Sequence, residues 1–137
     1  MRVQLLWVLS VLIGLGILTG CNPPATEPLP RGATREFVLI ISDLRFIGES
    51  PLAIAGTENP DLVVQVGDRV KITIKNEESQ LVLHDFAVSN HDVKLPHYLR
   101  PNQTITVEFI APRVGEFFYY DPLHPTTMRG RFIVIGR

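Results

Sequence analysis

The sequence predicts an all-β domain, a sandwich or Greek-key barrel of about seven or eight strands, and three observations predict it. Apolar residues alternate with polar ones at a period of two: Arg69–Lys75 reads RVKITIK and puts Val70, Ile72 and Ile74 on one face, and residues 103–110 repeat the pattern with Ile105, Val107 and Phe109. Turn signals fall between the apolar runs at short spacing, as in Val66-Gly67-Asp68, Asn76-Glu77-Glu78-Ser79, Arg100-Pro101-Asn102 and Val114-Gly115. No segment after residue 35 carries a helical period. Short strands spaced in this way build a sheet-on-sheet core.

In chain order, the first element is a leader. Arg2 precedes an uncharged run from Leu5 to Leu18, too short for the roughly 20 residues of a spanning helix but suited to a signal-peptide core. Leu18-Thr19-Gly20-Cys21 then resembles the lipobox of bacterial lipoproteins. The resemblance implies cleavage of residues 1–20, lipid on Cys21, and a domain held on the extracytoplasmic side of a membrane, in the periplasm or at the cell surface. The alternative is an uncleaved anchor. Residues 21–35 follow as a Pro-rich tether, with Pro23, Pro24, Pro28 and Pro30 and nothing to bury. The folded domain is expected over residues 36–137. Its strands are expected at Phe37–Ile41, Leu62–Val66, Arg69–Lys75, Leu81–Ser89, 103–110, Glu116–Tyr120 and Arg131–Ile135.

Composition excludes several classes of function. The chain has 137 residues, 45% apolar and 20% charged, with a net charge of −1 and no basic stripe, so nucleic acid is not an expected partner. Cys21 is the only cysteine. The domain therefore has neither an internal disulfide nor a thiolate, and must cohere through its core. No nucleophile–base pairing or phosphate loop is visible: Ser79 and Ser89 lie in no Gly-x-Ser-x-Gly context. The expectation is that the protein is not an enzyme.

Chemistry gathers in the second half. Alternation through Leu81–Val88 places Val82, His84, Phe86 and Val88 on one face, so His84 sits among apolar neighbours. Gly115–Asp121 places Phe117, Tyr119 and Asp121 together, and the loop Asp121-Pro122-Leu123-His124-Pro125-Thr126-Thr127-Met128 follows. Buried polar groups left unsatisfied cost about 1–3 kcal/mol each, so a convergence of them asks for a metal or a closed hydrogen-bond network. His91 and His97, in Asn90–Tyr98, read as surface histidines.

Taken together, Leu62–Ile135 resembles the cupredoxins, the family of plastocyanin and azurin. The likeness rests on Pro60–Val70 with its Gly67-Asp68 turn, on Leu83-His84-Asp85-Phe86, and on Gly115 through Met128, which is similar to the family's Gly-x-Tyr-x-Tyr-Cys-x-x-His...Met loop. The resemblance implies a site of two histidines, a cysteine thiolate and a weak axial methionine. It places the histidines at His84 and His124 and the methionine at Met128. The cysteine position falls on Asp121.

A carboxylate is a harder donor than a thiolate and favours divalent metal over Cu(I). The expectation is a colourless Cu(II) site, or Zn(II), at His84, Asp121, His124 and Met128, serving copper handling rather than rapid electron transfer and passing copper to a protein partner. Each residue has a plainer reading beside this one. His84 would be a core histidine, His124 a surface one, Asp121 an Asx cap before Pro122 and Met128 packing. The domain would then be a metal-free interaction module of a membrane complex.

Overall fold

The computed structural model describes residues 32–137; the leader, Cys21 and the tether as far as residue 31 lie outside the described residues. Nine strands follow one another: β1 Thr34–Ser42, β2 Arg45–Ser50, β3 Leu62–Gln65, β4 Arg69–Asn76, β5 Ala87–Val88, β6 Val93–Lys94, β7 Thr104–Ile110, β8 Gly115–Tyr120 and β9 Arg129–Ile135. One 3-10 turn, Leu52–Ile54, interrupts them. They form two mixed sheets, β2-β1-β4-β7 and β3-β9-β8-β5-β6, in which β1 runs parallel to β4 and β3 parallel to β9. This is the β-sandwich that the alternation predicts. Val70, Ile72 and Ile74 of β4 are fully buried and face the second sheet's Phe117, Tyr119, Phe132 and Val134 across one core.

Three sequence expectations need correction. Residues 32–35 belong to the domain, not to the tether: Gly32 donates its N–H to the Gly67 carbonyl at 3.0 Å, and Arg35 pairs with buried Asp68. Strand β2 lies outside the strands expected from the sequence; at its Gly48 a Cβ would lie 2.1 Å from the Ile54 carbonyl oxygen, so only glycine admits that backbone. Leu81–Ser89 is a strand only at Ala87–Val88. Its side chains still alternate, with His84, Phe86 and Val88 buried, but its backbone bonds elsewhere. The Asp85 N–H goes to the Asp121 carboxylate and the Phe86 N–H to Asp85 Oδ1, which leaves a single bridge, His84 to Leu99, in place of a ladder.

Two core features carry predictions. Tyr119 is wholly buried and donates its hydroxyl to the Pro60 carbonyl at 2.7 Å; burial, reinforced by Asp61, pushes its ionisation well above the ordinary phenol range. Its ring lies across Gly130, where a Cβ would come within 2.2 Å of the phenol carbon and oxygen. Gly130→Ala is expected to destabilise the fold by roughly 1–3 kcal/mol, the usual cost of overpacking, read as a lower urea midpoint at unchanged slope.

Asp68 supports the opposite end. Burial pushes its carboxyl up, but the Gln65 N–H and the Arg35 guanidinium together outweigh burial and hold it below 3.8. A depressed folded pKa means that the unfolded chain binds the proton more readily. The stabilisation is therefore complete above the ordinary carboxyl range and is lost as pH falls through 3.8 and below. Thermal melts across pH 2–6 are expected to show that loss, and Asp68→Asn is expected to flatten it.

Candidate metal centre

Three segments meet at one end of the sandwich. The first is Glu78–Phe86, which follows β4 and is organised by Asn76. That buried amide donates to the carbonyls of Val82 (3.3 Å) and Leu99 (3.2 Å) and accepts the Glu78 N–H (3.0 Å). The second is the stretch around Leu99, which exchanges backbone hydrogen bonds with His84 at 2.8 and 3.1 Å. The third is the loop Asp121–Met128 between β8 and β9. It closes on itself, because the Asp121 N–H donates to the Met128 carbonyl (3.0 Å) and the Met128 N–H to the His124 carbonyl (3.0 Å). Backbone contacts thus hold the three segments before any side chain is considered.

Asp121 stands at the centre and is fully buried. Its Oδ1 accepts the Leu123 N–H at 2.8 Å, which is an Asx turn, and the Asp85 N–H at 3.1 Å. Its Oδ2 faces His84 Nδ1 at 2.8 Å and His124 Nδ1 at 3.0 Å. The cap expected of Asp121 is present on Oδ1, and Oδ2 is left to the two histidines. Burial pushes the carboxyl up, but the two imidazoles and the two backbone N–H groups together outweigh burial and hold it below the usual carboxylate range. It is therefore an anion at neutral pH, and without a metal both histidines donate to it through Nδ1–H.

The two histidines differ in exposure. His84 is completely buried; the His124 side chain is 26% exposed, which leaves the site one face toward solvent. Their rings lie 5.0 Å apart, centroid to centroid. His84 Nε2 is buried and has no hydrogen-bond partner among the described residues, while Glu78 Oε1 stands 3.9 Å away. Met128, the last residue of the loop, is fully buried among the core residues.

The geometry suits a divalent ion. Nitrogen and oxygen donors sharing one ion at about 2.0–2.2 Å stand roughly 2.8–3.6 Å apart for angles between a right angle and tetrahedral. The two N···O separations, 2.8 and 3.0 Å, lie in that range, and donor atoms of all three side chains fall within 4.8 Å of one another. Two imidazoles and a carboxylate form a borderline-to-hard donor set. The orphaned Nε2 fits as well, since an imidazole that ligates through Nδ1 carries its hydrogen on Nε2 and can use an acceptor there.

The remaining histidines lie apart from this group. His97 is exposed, as expected. His91 is half-buried rather than a free surface residue: its ring meets Phe109, Phe117 and Phe132 edge-on at centroid distances of 4.6–5.5 Å, and its Nδ1 bonds the Ser89 carbonyl. The sequence concealed this because Asn90, in the left-handed region at φ 56°, turns the chain back onto the core.

No family model matches the chain. Among solved structures, rusticyanin from Thiobacillus ferrooxidans is similar with a TM-score of 0.58 at 20% identity, over 76% of this chain and 79% of that one. Copper nitrite reductase from Nitrosomonas europaea is similar with a TM-score of 0.60 at 19% identity, and blue copper oxidase from the same organism with 0.58 at 22%. Each of these two likenesses covers 76% of this chain but only 42% and 39% of the larger proteins. At these identities the likeness is one of fold, and the fold is that of the cupredoxins.

Proposed function

We propose, with the cupredoxin fold as premise, that this protein is a membrane-anchored, extracytoplasmic copper-binding protein whose site is His84, Asp121 and His124. It holds and releases copper rather than shuttling electrons rapidly. The observation that carries this reading is the convergence of two imidazole nitrogens on one buried carboxylate oxygen, at 2.8 and 3.0 Å. That the similar structures include a copper nitrite reductase and a blue copper oxidase supports the choice of metal. The donor set supports the choice of Cu(II) over Cu(I), with Zn(II) as a second occupant, because no soft thiolate is present.

In this reading the carboxylate stands where the family resemblance puts a cysteine. Its Oδ2 ligates, while its Oδ1, held by two backbone N–H groups, keeps the side chain in place. His84 is the inner ligand and His124 the solvent-facing one, through which the ion enters and leaves. Met128, which is fully buried, supplies at most a weak axial contact. Copper is cargo here, and no catalytic step is assigned. Lipid on Cys21 would hold the domain near a membrane partner that accepts or supplies the metal.

The test is titration of the full chain in detergent micelles with Cu(II), followed by EPR and thermal melting. One equivalent of nitrogen-coordinated, non-blue Cu(II) is expected, with a raised melting temperature from preferential binding to the folded state. His84→Ala and His124→Ala should each remove the signal. A wild-type chain that takes up no copper would overturn the reading. That result would favour a metal-free interaction module, for which one observation also speaks: Asp121 already receives four N–H donors from its own protein.

A further inference from the structure

We infer that Glu78 is the positioning residue of this centre, the acceptor that takes the Nε2–H of His84 when Nδ1 turns its lone pair to a metal ion. The inference rests on the metal-binding reading above and adds to it a residue outside the donor set.

The reasoning starts from the orphaned nitrogen. With Nδ1–H donating to Asp121, a neutral His84 presents a lone pair at Nε2, in a position with no solvent and no donor. The nearby group on that side is a carboxylate, an acceptor only, 3.9 Å away. Two acceptors face each other across that gap, and the Nε2 lone pair is left without a donor. In the other tautomer the hydrogen sits on Nε2, Nδ1 is free to ligate, and Glu78 becomes the matching partner. The arrangement is therefore complementary to the ligating tautomer of His84 and mismatched to the metal-free one.

Glu78 is also held for this task. Its side chain is only 10% exposed, and Oε1 accepts the Leu44 N–H at 2.8 Å. Leu44 and Asp43 form the two-residue turn between β1 and β2, both in the left-handed region at φ 55° and 51°. That conformation is uncommon for leucine, and here it aims the N–H at the carboxylate. At its other end Glu78 is fixed through its own N–H to Asn76 Oδ1. A closure of about 1 Å would bring Oε1 within hydrogen-bond range of His84 Nε2. Carboxylate partners of ligating histidines fix the ring's tautomer in this way, and their loss typically weakens metal affinity 10- to 100-fold.

The experiment uses the full chain in micelles, with Zn(II) as a diamagnetic probe and long-range ¹H–¹⁵N spectra to read which His84 nitrogen bears hydrogen. In the wild type, Zn(II) is expected to move that hydrogen from Nδ1 to Nε2 and to produce a slowly exchanging Nε2–H resonance. Glu78→Ala is expected to lose roughly 10- to 100-fold in Zn(II) affinity and to abolish the slow exchange. Glu78→Gln retains an acceptor oxygen for both Leu44 and His84, and is expected to restore most of the affinity and the resonance. Thermal melts of the metal-free variants identify any loss that comes from folding alone. Unchanged affinity with an unchanged Nε2–H resonance in a folded Glu78→Ala would overturn the role of Glu78 while leaving the metal site standing. A wild type that binds neither Zn(II) nor Cu(II) would remove both.

Discussion

Replacing Asp121 with alanine is expected to lower Cu(II) affinity by at least about 100-fold and stability by about 2–4 kcal/mol. The first figure exceeds the 10- to 100-fold typical of an outer partner, because a charged ligand itself is removed. The second follows from the four donors that Asp121 satisfies: truncation strands the buried His84 Nδ1–H together with the Asp85 and Leu123 N–H groups, at about 1–3 kcal/mol for each one that water does not reach. Isothermal titration and urea denaturation check the two halves separately. Asp121→Asn separates them further. It keeps the size and one acceptor oxygen, so it should recover part of the stability while remaining a poor copper ligand. If both variants lose stability and the wild type shows no affinity to lose, Asp121 is a structural hub and nothing more.

Asp121→Cys is expected to produce the largest spectroscopic change. If the carboxylate occupies the thiolate position of the cupredoxin site, this single change adds a cysteine to two histidines in a loop that ends on a buried methionine, the donor types of a blue centre. Cu(II) added to the variant should then give an intense visible absorption and a narrow EPR hyperfine splitting, neither of which the wild type should show. The variant also becomes a better ligand for Cu(I), so its reduction potential should rise above that of the wild type. Copper bound without colour would mean that the loop does not hold a thiolate in the required geometry, and that Asp121 is not the positional counterpart of the cysteine. The backbone supports the expected result. The Asp121 N–H is tied to the Met128 carbonyl, and the Asp85 N–H already bonds the side chain at position 121.

Both experiments turn on one side chain, whose burial is legible in the sequence and whose partners are not. Asp121 shares a face with Phe117 and Tyr119 by simple alternation, so its burial was legible. Its Asx turn was legible from the following proline. That the same carboxylate reaches His84, 37 residues earlier, depends on β5 pairing with β8, a long-range contact that local pattern does not encode. His84 illustrates the same limit. Alternation places it inward, but the expected strand over Leu81–Ser89 persists only at Ala87–Val88, because the Asp85 N–H goes to Asp121 and the Phe86 N–H to Asp85 Oδ1. The isolated bridge to Leu99 holds the histidine instead.

What the sequence determined by itself is what local physics can express. Period-two alternation makes β4, β7 and β8; glycine and asparagine mark the turns; the absence of cysteine from the domain rules out a thiolate centre. Tertiary structure alone decided that Gly48 admits the Ile54 carbonyl, that His91 turns in among three phenylalanines, and that Glu78 faces the unpartnered nitrogen of His84. The difference has one physical cause. Which face a residue takes follows from its own dihedral angles and near neighbours, whereas the partner of a buried polar atom is chosen by whichever distant backbone or carboxylate the folded sheets bring within about 3 Å of it.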